Sequence, residues 1–359
     1  MTTVVSSDTA FLCSSRPQWL PYRPYPLLRS GHLQTVMTGL LCGPRPPHQA
    51  RPIPLPLGDG QALMVHEEQG APLPDDAPLT ILIHGLGGDH RSPYLQRVAA
   101  QLRQADCRVW RVDLRGSGLG MELAWQPAHA GASDDLAAVV VAACQHYPQA
   151  SVHCVGFSLS GNMVLKMLGE AAAGAAHRQL DLSRLASALA VAPPVDLQRC
   201  ADNMDRFSRR LYTAYYLRHL ARQVQDRRAR WPQWEQIPDL PAVKTIRQFD
   251  TRFTAPLSGF ASAEHYYREA SALPWLPSIT TPTTLLVDRH DPIVAVDAFE
   301  TAHLNPHSTT LLQTDRGGHM GYFARDERGG LWRWMEYFVV QHVLHQVRGE
   351  TYSCCSSQA

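Results

Sequence analysis

Short apolar runs alternate with amphipathic stretches between residues 79 and 192, and this alternation constrains the fold more than any other feature of the chain. Leu79 to Ile83 is wholly strand-like. Leu95, Val98, Ala99 and Leu102 then recur at helical spacing, behind Ser92-Pro93, a pair suited to an N-cap and a first helical turn. Arg108 to Val112 reads as a second strand, and Leu136, Val139, Val140 and Ala143 form the next helical face. Ser133 is placed to cap that helix, with Asp134 and Asp135 at its positive dipole end. Val152 to Val155 is a third strand, followed by a helix to about Glu170, and Leu185 to Ala192 is a fourth. Such alternation predicts an α/β fold: a mostly parallel sheet with helices on both faces.

The alternation stops at Pro193-Pro194. Residues 197–274 are arginine-rich and helical in pattern, with aromatics such as Tyr212, Tyr215, Tyr216, Trp231 and Trp234. Strand patterns resume at Thr283 to Val287 and Thr309 to Gln313, before a helix with Leu331, Trp334, Met335 and Phe338 on one face. Thirteen of the 27 prolines precede residue 79, so no long helix is expected there. Within that arm, Pro52 to Leu57 and Ala62 to Val65 flank Gly58-Asp59-Gly60, a hairpin whose prolines demand a sheet edge. The 359 residues thus divide into an arm (1–78), a core (79–196 and 275–350), an inserted helical cap (197–274) and a tail (351–359) expected to be disordered.

A net charge of +1 supplies no general reason to expect nucleic acid as a partner. The longest apolar run, Leu136 to Cys144, is too short to span a bilayer, and no apolar segment follows a charged start. The eight cysteines show neither zinc-finger nor thioredoxin spacing, and the histidines show no His-Glu-x-x-His motif. The expectations are a cytoplasmic chain with no cofactor and no metal. Nothing in the pattern specifies an oligomeric state.

The chemistry gathers where strands end. Gly156-Phe157-Ser158-Leu159-Ser160 is close to the G-x-S-x-G elbow, in which a serine sits on a sharp turn between strand and helix. Ser160 departs from the usual glycine but is small, and Gly161 follows. An ordinary serine in a βα loop is the competing reading. A serine nucleophile needs a histidine base oriented by a carboxylate, in the order serine, acid, histidine for this strand–turn–helix context. His319, in Asp315-Arg-Gly-Gly-His-Met-Gly321, lies in a glycine-flanked loop after the last strand; His290 is the local competitor. Asp291, before a loop-fixing proline, is the expected acid, and Asp288 is the alternative, otherwise a loop-capping carboxylate. Donors for an oxyanion are expected from the N–H groups of Leu159 and of Leu86, in His84-Gly-Leu-Gly-Gly88. A phosphate loop is disfavoured because no Gly-Lys-Ser/Thr follows, and His84 reads as structural.

Together these residues resemble the YheT-like group of α/β-hydrolases, also called AB hydrolase 4, whose relatives include animal enzymes and yeast ethanol acyltransferase/esterases. The likeness runs over roughly residues 20–345. It rests on Gly31-His-Leu-Gln-Thr35, His84-Gly-Leu-Gly-Gly88 with Ser92-Pro-Tyr94, Arg115-Gly-Ser-Gly118, His129 to Asp135, and Gly156-Phe-Ser-Leu-Ser-Gly-Asn162. Arg247-Gln-Phe-Asp250, Gly259-Phe260, Tyr266-Tyr267, Asp291-Pro292 and Gly317-Gly-His319 complete it. The resemblance implies an α/β-hydrolase fold and a serine esterase or lipase for short- to medium-chain acyl esters, including acylglycerols or other lipids. It implies Ser158, Asp291 and His319 as the triad. Acyl transfer to an alcohol, and a non-catalytic binding protein on the same fold, are the alternatives. The cap aromatics are either an acyl pocket or the cap's own core, and its arginines either meet an anionic head group or solvate outer faces.

Overall fold

Period-two side-chain alternation splits each central strand between two cores. The computed structural model describes residues 20–41, 43–177, 180–234 and 243–349; the 351–359 tail lies outside them. The strands of its main sheet are β1 (Ala50–Pro56), β2 (Ala62–Glu68), β3 (Leu79–Ile83), β4 (Arg108–Asp113), β5 (Val152–Phe157), β6 (Leu185–Val191), β7 (Thr283–Asp288) and β8 (Thr309–Thr314). They form one sheet in the order β1-β2-β4-β3-β5-β6-β7-β8. From β4 to β8 neighbouring strands are parallel, while β2 runs antiparallel to both β1 and β4. β1 forms the edge, pairing only with β2, which lets Pro52, Pro54 and Pro56 lack amide protons without breaking the sheet's interior.

The helices in chain order are α1 (Gly31–Leu40), α2 (Pro93–Gln104), α3 (Ser133–His146), α4 (Leu159–Ala172), α5 (Leu197–Met204), α6 (Arg210–Arg228), the short α7 (Ile246–Phe249) and α8 (Ala255–Leu257), α9 (Ala263–Ala270) and α10 (Trp334–Val347). Leu79, Ile81 and Ile83 of β3 join the core built with α3 and α4; Leu82 joins the core built with α2 and α10. Val152 and Cys154 of β5 turn to the first core, Val155 and Phe157 to the second. Burying each such aliphatic side chain contributes about 1.5–3 kcal/mol, so strands covered on both faces read as continuous apolar runs.

Two expected caps act differently. Ser92 is the N-cap of α2, but its hydroxyl accepts from Asp89 N–H (3.3 Å) and makes no side-chain bond to the helix. Ala132 occupies the N-cap position of α3, and Ser133 donates instead to Glu170 Oε2 (2.6 Å). Ser133 is itself the first residue of the helix, one position past the cap. In the arm, α1 occupies the stretch between Pro26 and Pro44 that contains no proline.

Helices α5 to α9 are inserted between β6 and β7. Asn162, fully buried on α4, ties that insertion to the sheet: its amide donates to Ala130 O (2.9 Å) and Ala270 O (2.8 Å), and its oxygen accepts from Ala272 N–H (2.9 Å). Asn162→Ala strands all three backbone groups in a dry interior. It is expected to lower stability by about 3 kcal/mol or more, measured by urea unfolding. A loss under about 1 kcal/mol would mean that these bonds are not what joins α9 to the sheet.

Candidate active site

The turn from β5 into α4 is forced into the left-handed region at a non-glycine residue: Ser158 has φ 53° and ψ −117°. Such a backbone costs about 1–3 kcal/mol and persists only where its surroundings hold it. A Cβ on Gly156 would lie 2.5 Å from Ser160 O, so only glycine admits the turn. Ser160, in the place where glycine is usual, is fully buried and useful: its Oγ accepts from Phe157 N–H (2.8 Å) and donates to Ile83 O (2.7 Å), linking the ends of β5 and β3. Gly85 brings the loop after β3 against the turn, since its Cβ would stand 3.1 Å from Phe157 O and Ser158 Cβ.

Ser158 Oγ lies 2.9 Å from His319 Nε2, and His319 Nδ1 lies 2.8 Å from Asp291 Oδ2. His319 and Asp291 are both buried. Asp291 Oδ1 accepts from Ile293 N–H (2.8 Å) and Val294 N–H (2.9 Å), which fixes the carboxylate's orientation. Asp288, the alternative acid, sits elsewhere in the network. Its Oδ2 accepts from Gly317 N–H (2.6 Å) and the Thr314 hydroxyl (2.8 Å), and its Oδ1 from Gly318 N–H (3.0 Å) and His290 N–H (2.9 Å). It clamps the loop that carries His319. Burial pushes the Asp288 carboxyl up, against these hydrogen bonds. His290 is exposed, its Nδ1 accepting from Arg316 N–H (3.2 Å), and makes no contact with Ser158.

The arm contributes through a segment whose motif was visible in the sequence but whose role was not. Thr35 Oγ1 accepts from His319 N–H (2.8 Å) while donating to Gly31 O (2.7 Å). Gln34, fully buried, donates to Leu28 O (2.7 Å) and Phe323 O (2.9 Å) and accepts from Phe323 N–H (2.7 Å). The Gly31-His-Leu-Gln-Thr35 segment is therefore a splint for the histidine loop. Its signal in the sequence was the family resemblance of those five residues, which says nothing of what they hold.

A cavity of about 170 Å³ opens at Ser158. Leu86 and Leu159 line it, and neither N–H has a hydrogen-bond partner among the described residues. The insertion supplies Tyr216, Trp234, Phe249 and Phe253 to its wall; Trp231 packs in the insertion's own cluster and Tyr215 is exposed. Trp234, Phe249 and Phe253 both line the cavity and form the insertion's own buried cluster. His129 and Asp250 are among the ionisable residues of the wall. Burial pushes the His129 imidazole down to about 4, leaving it neutral at pH 7. Burial pushes the Asp250 carboxyl up to about 6, against hydrogen bonds from Thr254 and Tyr267.

Among the described residues, His66, His90 and Asp113 offer metal-ligand atoms within 4.8 Å of one another. The two imidazoles stack face to face, with centroids 3.5 Å and planes 13° apart. Nitrogen lone pairs lie in the ring plane, so one ion cannot sit in both planes of a stacked pair. The trio is better described as a brace: His66 Nε2 and His90 Nδ1 each lie 2.8 Å from Asp113 Oδ2, and His90 N–H donates to Oδ1 (2.7 Å). Burial works against ionising Asp113, yet these bonds hold its carboxyl well below the usual range. The brace anchors the loop of Gly85 and Leu86 to β4. His84 completes that loop's anchoring, its Nε2 accepting from Leu114 N–H (3.3 Å).

A family model described as alpha/beta hydrolase fold matches residues 78–326. The chain is 30% identical over 271 residues to a monoacylglycerol lipase of Saccharomyces cerevisiae, covering 72% of this chain and 58% of that one. It is 27% identical over 320 residues to the putative esterase YheT of Escherichia coli, covering 87% and 88% of the two chains. It is 28% identical over 277 residues to the medium-chain fatty acid ethyl ester synthase/esterase 2 of Saccharomyces cerevisiae, covering 70% and 59%. The chain thus spans under two thirds of the length of both yeast relatives. Among solved structures, an esterase from Pyrobaculum calidifontis superposes with a TM-score of 0.56 at 15% identity, over 92% of this chain and 100% of that one, a likeness of fold.

Two outcomes follow from the site's geometry. Thr35→Val, which removes the acceptor for His319 N–H, is expected to lower kcat on a soluble ester about tenfold with KM unchanged, and Thr35→Ser to restore it. A change in KM alone would assign Thr35 a purely structural role. The raised carboxyl of Asp250 binds its proton more tightly in the folded chain than in the unfolded one. Its contribution to stability is therefore complete below the ordinary value of 3.8 and is lost as pH rises through about 6. Asp250→Asn should flatten that dependence, gaining Tm relative to wild type between about pH 5 and pH 8 in thermal melts.

Proposed function

Because the chain belongs to the alpha/beta hydrolase fold family, and its relatives include YheT, we propose that it is a serine hydrolase cleaving carboxylic esters through an acyl-enzyme on Ser158. The observation that carries this reading is the relay of two short hydrogen bonds, Asp291 to His319 to Ser158, ending on a strained serine at the mouth of a cavity.

In this mechanism Ser158 Oγ attacks the ester carbonyl carbon while His319 Nε2 takes the hydroxyl proton. Asp291 keeps the imidazole oriented with Nε2 toward serine and stabilises the imidazolium that forms. The negative charge on the carbonyl oxygen is met by the N–H groups of Leu86 and Leu159, a contribution worth about 3–4 kcal/mol per donor in comparable sites. His319 then protonates the leaving alcohol, and the carbon–oxygen bond to it breaks. Water, deprotonated by the same imidazole, releases the acid and restores Ser158.

The substrate class is a neutral ester of short to medium acyl chain, with acylglycerols and ethyl esters suggested by the names of the yeast relatives. An apolar wall and a net charge of +1 suit such a substrate better than an anionic one. Residues 197–274 act as a cap over a core formed by 79–196 and 275–350. One relative's name couples ester synthesis with hydrolysis, so transfer of the acyl group to an alcohol is the second reading.

Wild-type protein is expected to be labelled by a fluorophosphonate probe, and Ser158→Ala to be unlabelled and inactive on p-nitrophenyl esters. Folded wild-type protein that resists the probe would end the serine-hydrolase reading. Asp291→Asn should lower kcat by about 10⁴, whereas Asp288→Asn should act mainly on stability. Product analysis with ethanol present separates the two chemistries: ester accumulating faster than acid would favour transfer.

A further inference from the structure

The outer faces of α1 and α6 hold large apolar side chains in water. On α1, Leu33, Val36 and Leu40 are 39%, 47% and 70% exposed, and their spacing places them within about 60° of one another around the helix. Phe207 and Leu211, just before and within α6, are each 78% exposed, and Tyr215 is 52% exposed. Isolated exposed apolar residues need no explanation, but a group of this size does.

The two stripes meet along one seam. The His32 ring stacks on Tyr212 at 5.8 Å and 21°, with His32 Nδ1 3.0 Å from the Tyr212 hydroxyl. His32 precedes Leu33 and Tyr212 follows Leu211, so each stripe borders the contact. The inner faces of the same helices serve the site: Thr35 holds His319 N–H, and Tyr216 lines the cavity. The exposed apolar surface therefore lies on the elements that frame the site.

Its charge is equally distinctive. Segments 20–41 and 206–225 contain two and five arginines, seven together, and no aspartate or glutamate, in a chain whose net charge is only +1. Arg206, Arg210, Arg218 and Arg222 are exposed, and none makes an ion pair among the described residues. The Arg210 guanidinium rests over the Phe207 ring, 4.4 Å from its centroid. Arginines interleaved with Phe, Leu and Tyr, without acids, form the surface that lies at a membrane interface: apolar groups enter the acyl boundary while guanidinium groups meet lipid phosphates.

We propose that the α1–α6 face docks on an anionic lipid surface. Docking in this way brings the cavity's frame to the bilayer, where lipid-like esters reside. The docking itself stands independently of the catalytic reading and is testable in a protein without its nucleophile.

The experiment is co-sedimentation of full-length Ser158→Ala protein with vesicles of phosphatidylcholine, alone or with one third phosphatidylglycerol. Partitioning into the mixed vesicles is expected to exceed that into phosphatidylcholine at least tenfold and to fall as salt rises. Adding Phe207→Ser with Leu211→Ser should reduce it about tenfold, and Leu33→Ser with Leu40→Ser likewise. In protein retaining Ser158, the Phe207/Leu211 pair should leave kcat/KM for a soluble short-chain ester unchanged. Equal sedimentation of all variants, or no partitioning into either vesicle, would overturn the proposal. So would binding only after removal of residues 1–19, which would assign the surface to the chain's own N-terminal segment. A concentration-dependent dimer lost in the Leu211 variant would assign it to a second copy.

Discussion

A left-handed turn at Ser158 sets conditions that propagate through the molecule. A non-glycine residue at φ 53° is unfavourable in isolation, so the surrounding chain must make every alternative worse. That requirement accounts for Gly156, for the packing of Gly85 against the turn, and for the buried Ser160 hydroxyl that fastens β5 to β3. Each removes freedom that the turn would otherwise use to relax. The result is a hydroxyl held at the sheet's rim, at a cavity that Leu86 and Leu159 also line.

The histidine that faces this hydroxyl belongs to a loop with little stability of its own. Arg316, Met320 and Tyr322 all have positive φ, and Gly318 at φ 62° leaves so little room that a Cβ would meet Gly31 O at 2.2 Å. Three separate pieces of chain hold this conformation: the Asp288 carboxylate from β7, Thr35 and Gln34 from α1, and the Asp291 carboxylate on the imidazole itself. Two aspartates three residues apart thus do different work. One organises backbone and the other organises a side chain, and what separates them is whether the carboxylate meets N–H groups or an imidazole.

The helical insertion has a similar double character. Its inner residues close the cavity, and its link to the sheet passes through Asn162, one helical turn beyond Ser158. Arg227 shows that an arginine on α6 need not be a surface charge: it is buried, donates to the carbonyls of Trp125 (2.8 Å), Gln126 (2.8 Å) and Arg115 (3.1 Å), and lies over the Trp234 ring. Arg210, Arg218 and Arg222 of the same helix are exposed and make no ion pair among the described residues. The insertion therefore joins the site to the outside surface through one element.

Local sequence determined the strands, the helices and the elbow. Apolar period, proline placement and glycine at a forced turn act over a few residues, so Leu79 to Ile83, Val152 to Val155 and Gly156-Phe-Ser were legible without coordinates. The order serine, acid, histidine was legible too, because the chain visits strand ends in sequence. Tertiary structure alone decided which aspartate reaches the imidazole, since Asp288 ends β7 and Asp291 follows only three residues on, and sequence does not say where either carboxylate points. It also decided that Ser133 turns away from its helix end to Glu170, and that Thr35 reaches His319 across 284 residues of chain. Hydrogen bonds between distant segments leave no period and no composition bias. They exist only once burial has removed water as the competing partner.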